Sequence, residues 1–215
     1  MNEFVKPFLT AQKPTITYKT SNNLAWGNPT NGGAFMLGNT IYDPSSRLQL
    51  STIVTLNEKM LENSSPLLIA STTIHETIHS YIYYNVSFAE NNIRDNYADN
   101  NNWMAALNGF YAIKDLPSNY SNHTLILTDY FDKSIAVLQT WNNTQTTPYS
   151  TKELAMAMMY GLDTVDPGTP INFIDNINSA FVAIQAKYGI TAAELNTFNL
   201  ANLNSNNKLS TTGCN

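Results

Sequence analysis

A chain of 215 residues with 43% hydrophobic residues suits one domain with a full core, and it contains no apolar run long enough to span a bilayer. Its net charge is −5 and its 11 Lys and Arg are scattered, which argues against a nucleic-acid partner because neutralising phosphates needs concentrated cations. The one cysteine, Cys214, excludes an internal disulfide framework and a cysteine zinc ribbon, and it leaves the cellular compartment open.

The first 33 residues predict an N-terminal arm or linker, because they are rich in Thr, Asn, Pro and Gly. Within them, Thr15–Tyr18 is a candidate short strand at a loosely paired edge, and Asn31–Gly33 predicts a turn. Met1–Leu9 contains no apolar segment of the length that a secretion signal needs. We therefore expect no signal peptide in the chain as given, and a soluble protein with no membrane partner.

A small sheet is predicted after this arm. Two short apolar segments, Ala34–Leu37 and Asn39–Tyr42, are followed by a turn at Asp43–Ser46. Leu48–Leu56 then shows partial alternation and is rich in β-branched residues, which indicates a strand that ends at Asn57.

A helix is predicted over residues 66–84, after a short helical turn over residues 58–63. It contains the motif H-E-x-x-H, in which His75 and His79 are the two histidines. Residues four apart lie on one face of a helix, so both imidazoles can present a nitrogen to one zinc ion. Glu76 is rotated by about 100° from His75 and can reach a water held on that metal as a general base.

The remainder of the chain predicts further helices and a flexible tail over residues 202–215. Apolar residues recur at helical spacing, and two capping boxes mark helix starts. The predicted helices are one around Trp103–Tyr111, one from Asn122 to about Trp141, one from Leu154 to Tyr160 behind Ser150–Glu153 and stopped by Gly161, one over residues 171–188, and one behind Thr191–Glu194. Residues 34–201 are therefore expected to form one α+β domain.

Two histidines leave a catalytic zinc site one ligand short, because such sites use three protein ligands and keep one position for water. His123, the only other histidine, lies in the first turn of a predicted helix and is the leading candidate. Carboxylates remain open as alternatives, since sites with two His and one Glu also occur among hydrolases. These carboxylates are Glu90, Asp95, Asp99, Asp129 and Glu153.

Tyr130 is a further candidate for the site. It lies seven residues after His123, and residues seven apart share a face of an α-helix. A phenol there could donate a hydrogen bond to a developing oxyanion. We favour a core aromatic as the interpretation of the same residue, and the catalytic interpretation stays open.

The segment from about Leu48 to Tyr84 resembles the strand and active-site helix of SprT-like zinc metallopeptidases. The helix with His123 and the segment Glu153–Ala155 resemble the downstream part of a bacterial branch of that family without a zinc ribbon. This resemblance implies a minimal zincin-like α+β domain, a small sheet packed on the active-site helix, with several additional C-terminal helices. It also implies His75 and His79 as zinc ligands, Glu76 as general base and a third ligand that is usually histidine.

The sequence thus predicts a zinc-dependent metallopeptidase that hydrolyses a protein or peptide substrate with metal-activated water. Because the zinc ribbon and basic surface of DNA-linked members are missing, we do not expect a crosslink-repair role. Two other interpretations remain open. One is an effector or toxin protease domain cut from a longer polypeptide, and the other is a non-catalytic domain with a structural zinc or no metal.

Overall fold

A computed structural model describes residues 15–28, 32–43, 51–89, 122–162 and 171–206. In this part of the chain the fold is α+β, as the sequence predicts. The strands are β1 (Ile16–Ser21), β2 (Trp26–Asn28), β3 (Gly32–Phe35), β4 (Gly38–Tyr42) and β5 (Thr52–Asn57). The helical elements are α1 (Glu58–Asn63), α2 (Pro66–Ala89), α3 (Asn122–Leu125), a π-helical turn (Ile126–Tyr130), α4 (Phe131–Asn142), α5 (Thr151–Met159), α6 (Ile171–Tyr188) and α7 (Ala192–Leu203). None of these helices is long and apolar enough to cross a membrane.

The main sheet has the strand order β1-β5-β4. β5 is central and pairs in parallel with β1, from Ile16 opposite Thr52 to Ser21 opposite Asn57. β4 pairs antiparallel with β5 on the other side. β1 confirms the candidate strand at Thr15–Tyr18 and lies at an edge of the sheet. Its pairing with β5 could not be predicted from composition, because the partner strand is distant in sequence.

Asn57, fully buried at the end of β5, joins the sheet to the β2–β3 hairpin. Its side-chain amide donates to the carbonyl oxygens of Leu24 and Ala25, both at 3.2 Å, and of Met36 at 2.9 Å. Its side-chain oxygen accepts from the backbone N–H of Lys59 and so caps α1. One buried asparagine thus fixes both the hairpin and the chain reversal into α1.

The helix that carries the motif begins at a local signal that the sequence shows. Pro66 occupies the first helical position, where its missing N–H costs nothing, and the Ser65 hydroxyl accepts from the backbone N–H of Leu68. Ile78 and Ile82 of this helix are fully buried in the main core. Leu67 of the same helix belongs to that core too, and most of its other large members come from the C-terminal helices and include Phe131, Leu138, Leu154 and Met158.

Most predicted helices of the described residues are confirmed. Both capping boxes form, at Ser150 with Glu153 and at Thr191 with Glu194, and Gly161 follows α5 with a φ of +77°. Residues 122–142 are helical throughout, as predicted, but a π-helical turn interrupts them. The predicted helix around Trp103–Tyr111 lies outside the described residues. So does the predicted turn at Asp43–Ser46, apart from Asp43 itself.

The expected flexible tail begins within packed structure. The Ser65 hydroxyl donates to Asn202 at 2.5 Å, and the Ser64 hydroxyl donates to the carbonyl oxygen of Leu203 at 3.1 Å. The backbone N–H of Ser205 donates to the carbonyl oxygen of Asn63 at 2.9 Å. Residues 202–205 are therefore hydrogen-bonded to residues 63–65, and the predicted domain boundary at residue 201 stays a prediction.

Candidate metal centre

Two motif histidines lie side by side on α2. His75 and His79 are one helical turn apart, and their Nε2 atoms are 2.9 Å from each other. Their ring centroids are 4.8 Å apart. This convergence is what the four-residue spacing predicts on a helix.

The third histidine comes from a different element. His123 lies in α3, and its ring centroid is 5.4 Å from that of His75 and 5.5 Å from that of His79. One ring nitrogen from each of the three histidines can be chosen so that all three lie within 4.8 Å of one another. The fold thus brings together all three histidines of the chain. From the residues alone, His123 can be paired with the other two only because no further histidine is present.

The donor set fits a zinc ion. Zinc binds imidazole nitrogens at about 2.0–2.1 Å, so two tetrahedral ligands lie about 3.3 Å apart. The 2.9 Å separation of the His75 and His79 nitrogens is close to that value, and the 4.8 Å spread of the three is wider. The histidine pair on α2 thus has nearly the spacing of two zinc ligands, and the three nitrogens together are more widely spread.

Burial keeps the motif imidazoles in the form that binds metals. It lowers the pKa of His75 to about 3, and the proximity of His123 lowers that pKa as well. Burial also holds the pKa of His79 well below its usual range, with smaller contributions from His75 and His123. Both rings are neutral at pH 7, and a neutral imidazole has a free lone pair for a metal.

Glu76 is buried on the side of α2 that faces the sheet, with 6% of its surface exposed. The Thr40 hydroxyl lies 2.6 Å from its Oε2 atom. Burial raises the pKa of Glu76 to about 7, because the charged form is poorly solvated there, and the Thr40 hydrogen bond opposes that rise. Such a carboxyl can both accept and release a proton near neutral pH.

More hydroxyl contacts join this side of α2 to the sheet. The phenol of Tyr18 lies 2.7 Å from the Thr77 hydroxyl, and the Thr52 hydroxyl donates to Ser80 at 2.8 Å. The Thr77 hydroxyl itself donates to the carbonyl oxygen of Thr73, so Tyr18 is the donor to Thr77. A row of hydroxyl groups therefore surrounds the Glu76 side of the motif, and sequence periodicity gives no signal for it.

Tyr130 packs as a core aromatic. Its ring lies edge-on to Tyr81 at 5.7 Å, and the ammonium group of Lys133 lies 5.3 Å from its centre. Between His123 and Tyr130 lies a π-helical turn, in which each backbone hydrogen bond joins residues five apart and not four apart. Residues seven apart share a face of an α-helix, but they do not do so across this turn. The premise that aligned Tyr130 with His123 does not hold here, and its catalytic role stays a prediction.

Two of the alternative carboxylates are described, and both have other partners. Asp129 is exposed and accepts a hydrogen bond from the Thr128 hydroxyl. Glu153 accepts from the backbone N–H and hydroxyl of Ser150 as part of a helix cap. Neither joins the histidine cluster, which is the only potential metal-binding group found among the described residues. Glu90, Asp95 and Asp99 lie outside those residues.

Comparison of the chain with family models, with curated proteins and with solved structures gave no match.

Proposed function

We propose that this protein is a zinc-dependent metallopeptidase. The observation that carries the proposal is the meeting of three imidazoles, His75, His79 and His123, beside the buried carboxyl of Glu76. A zinc ion fits this donor set, since histidine nitrogen is one of its preferred ligands. The resemblance of the α2 segment to SprT-like metallopeptidases supports the same chemistry.

The number of ligands favours a catalytic role over a structural one. Structural zinc sites use four protein ligands, whereas catalytic sites use three and keep a position for water or substrate. The cluster has three members among the described residues, and their rings are partly buried. The arrangement therefore supports an ion with an open coordination position.

The proposed reaction is hydrolysis of a peptide bond. When bound, zinc supplies Lewis-acid polarisation of the scissile carbonyl and lowers the pKa of water. Glu76 accepts a proton from the attacking water, whose oxygen forms a bond to the carbonyl carbon. As the carbon–nitrogen bond breaks, Glu76 gives that proton to the leaving amine and so acts first as general base and then as general acid.

The proposed substrate is an extended peptide. β4 pairs with β5 along one side, and no described strand pairs with its other side. Thr40 of the same strand contacts Glu76, so this edge of the sheet lies beside the proposed base. A peptide that adds to β4 as a further strand would gain backbone hydrogen bonds close to Glu76.

The experiment that tests the proposal measures zinc content and peptidase activity on the same purified samples. The wild type should contain one zinc per chain and cleave an unstructured protein such as casein. Glu76→Gln should retain zinc and lose about 10²- to 10⁴-fold in rate, the usual contribution of a general base. Glu62→Gln, which changes an exposed carboxyl on α1, is the matched control and should match wild type.

Two results would contradict the proposal. A wild-type protein that binds no zinc would remove the basis for both the metal site and the reaction. A Glu76→Gln variant with zinc bound and undiminished cleavage would remove the role of Glu76.

A further inference from the structure

β4 approaches the Glu76 side chain at two points. At the first, the Thr40 hydroxyl lies 2.6 Å from Oε2 of Glu76 and 3.0 Å from its backbone carbonyl oxygen. At the second, Gly38 lies so close that an added Cβ would come 2.8 Å from Cγ and 2.9 Å from Oε1 of Glu76. Two residues of β4, which are two positions apart, therefore lie against the Glu76 carboxyl.

The Thr40 hydroxyl has one proton and two possible acceptors. The carboxylate oxygen is the nearer acceptor, and a hydrogen bond to a charged oxygen is the stronger of the two. The backbone carbonyl of Glu76 also lies 3.4 Å from the Ser80 hydroxyl, so it has a further donor within reach. The Thr40 proton is thus directed to the Glu76 side chain, and Thr40 itself is buried with 6% exposure.

Gly38 contributes space instead of a hydrogen bond. Separations below 3.0 Å between a Cβ and another heavy atom essentially never occur, so any larger residue at position 38 must displace the Glu76 side chain or the strand. The atoms it would meet belong to the carboxyl that the proposed reaction uses. The Glu76 side chain can therefore keep its observed rotamer, with β4 in place, only if residue 38 is a glycine.

We propose that Gly38 and Thr40 are positioning residues for Glu76. Gly38 leaves room for the Oε1 side of the carboxyl, and Thr40 orients the carboxyl through Oε2. Together they set the rotation of the Glu76 carboxyl. The catalytic meaning of this role rests on the proposed peptidase function, whereas the contact between β4 and Glu76 can be tested without it.

The kinetic test compares Thr40→Val with Thr40→Ser. Thr40→Val keeps the shape of the side chain and removes the donor, and it should lower kcat by about 10- to 100-fold, as the loss of a supporting hydrogen bond does at metal sites. KM and zinc content should not change, because a peptide added to β4 bonds the strand backbone, which Thr40→Val keeps, and the Thr40 side chain is buried against Glu76 and is no metal ligand. Thr40→Ser restores the hydroxyl and should recover most of the rate. Equal losses in both variants, or a loss that appears only in KM, would overturn the positioning role.

A second measurement does not depend on activity. Melting temperatures of the zinc-free protein are compared for Thr40→Val and Gly38→Ala, each in the wild type and in a Glu76→Ala background. If both residues act on the Glu76 side chain, each substitution lowers the melting temperature in the wild type and lowers it much less in the Glu76→Ala background. Equal shifts in the two backgrounds would show that Thr40 and Gly38 serve the backbone alone, and would overturn the inference.

The two measurements separate this inference from the proposed function. If the wild type lacks peptidase activity but the melting temperatures are coupled, the peptidase proposal fails and the contact to Glu76 stands. If cleavage depends on Glu76 but the coupling is absent, the positioning role fails and the peptidase proposal stands.

Discussion

The two long faces of α2 differ in chemistry. The face toward the sheet carries Glu76, Thr77 and Ser80, and hydroxyl groups of the strands meet it through hydrogen bonds. The face toward the C-terminal helices carries Ile78 and Ile82, which are fully buried among apolar side chains. One helix thus has a polar interior on one side and an apolar interior on the other.

This difference explains where the candidate site lies. A buried carboxyl is costly unless it receives hydrogen bonds, so Glu76 belongs on the polar side. At about 100° per residue, His75 and His79 fall between the two faces, where α3 brings His123. The apolar side fixes the position of the helix, and the polar side allows it to keep an ionisable group inside.

Loss of a histidine should have the largest effect on stability in the presence of zinc. It removes a proposed ligand from the group of histidines that lies between the two faces. A ligand present at 1,000 times its Kd stabilises a protein by about 4 kcal/mol. We expect zinc to raise the melting temperature of the wild type accordingly and to leave that of His79→Ala unchanged. Calorimetry with and without zinc measures this, and an equal rise in both proteins would exclude His79 as a ligand.

The apolar face is tested by Ile78→Ala. This substitution removes buried methyl groups and leaves a cavity, so we expect it to lower the free energy of unfolding by about 3 kcal/mol. Urea unfolding of the zinc-free protein measures the change. Val182→Ala on the exposed surface of α6 is the control and should cost far less. Similar losses in the two variants would show that the apolar face contributes little.

The polar face should respond in a different way. Ser80→Ala leaves the buried Thr52 hydroxyl without its acceptor, and we expect a loss of about 1–2 kcal/mol in the free energy of unfolding. The double variant Thr52→Val with Ser80→Ala removes both partners and should recover part of that loss. Additive losses in urea unfolding would mean that the hydroxyl pair does not act as a unit.

The smallest effect on the melting temperature should come from a change at the protein surface, away from both faces of α2. A hydrogen bond from Lys187, and a smaller one from Tyr188, lower the pKa of Asp132 below its usual 3.8. A lowered pKa means that the charged form is favoured in the native state, so the stabilisation is present above pH 3.8 and is lost as the pH falls through the lower, native value. Asp132→Asn should therefore melt slightly below wild type at pH 6 and equal to it at pH 2. A difference that does not change with pH would rule out this ion pair as its cause.

The sequence could predict what depends on neighbours along the chain. The spacing of His75 and His79, the start of α2 at Pro66 and the two capping boxes are local features, and the structure has them as expected. His123 could be paired with the motif only because the chain has no other histidine. That argument would not have worked in a chain with more histidines.

Other features could not be predicted because they depend on tertiary register. Gly38 and Thr40 meet Glu76 only after β4 pairs with β5 and α2 packs on the resulting sheet. The sequence predicts a strand at Thr15–Tyr18 but not its pairing with β5, because the partners are far apart along the chain. The alignment of Tyr130 with His123 assumes α-helical periodicity, which the π turn changes.

The contacts between the start of α2 and the end of α7 have a kinetic consequence. Ser64 and Ser65 bind Leu203 and Asn202, which follow them by 139 and 137 residues. Contacts of such long sequence separation close late, because the loss of chain entropy precedes the gain from the contact. During synthesis, neither of these two contacts can form until α7 has left the ribosome. The start of the motif helix is thus joined to α7 only when nearly all of the described chain has been made.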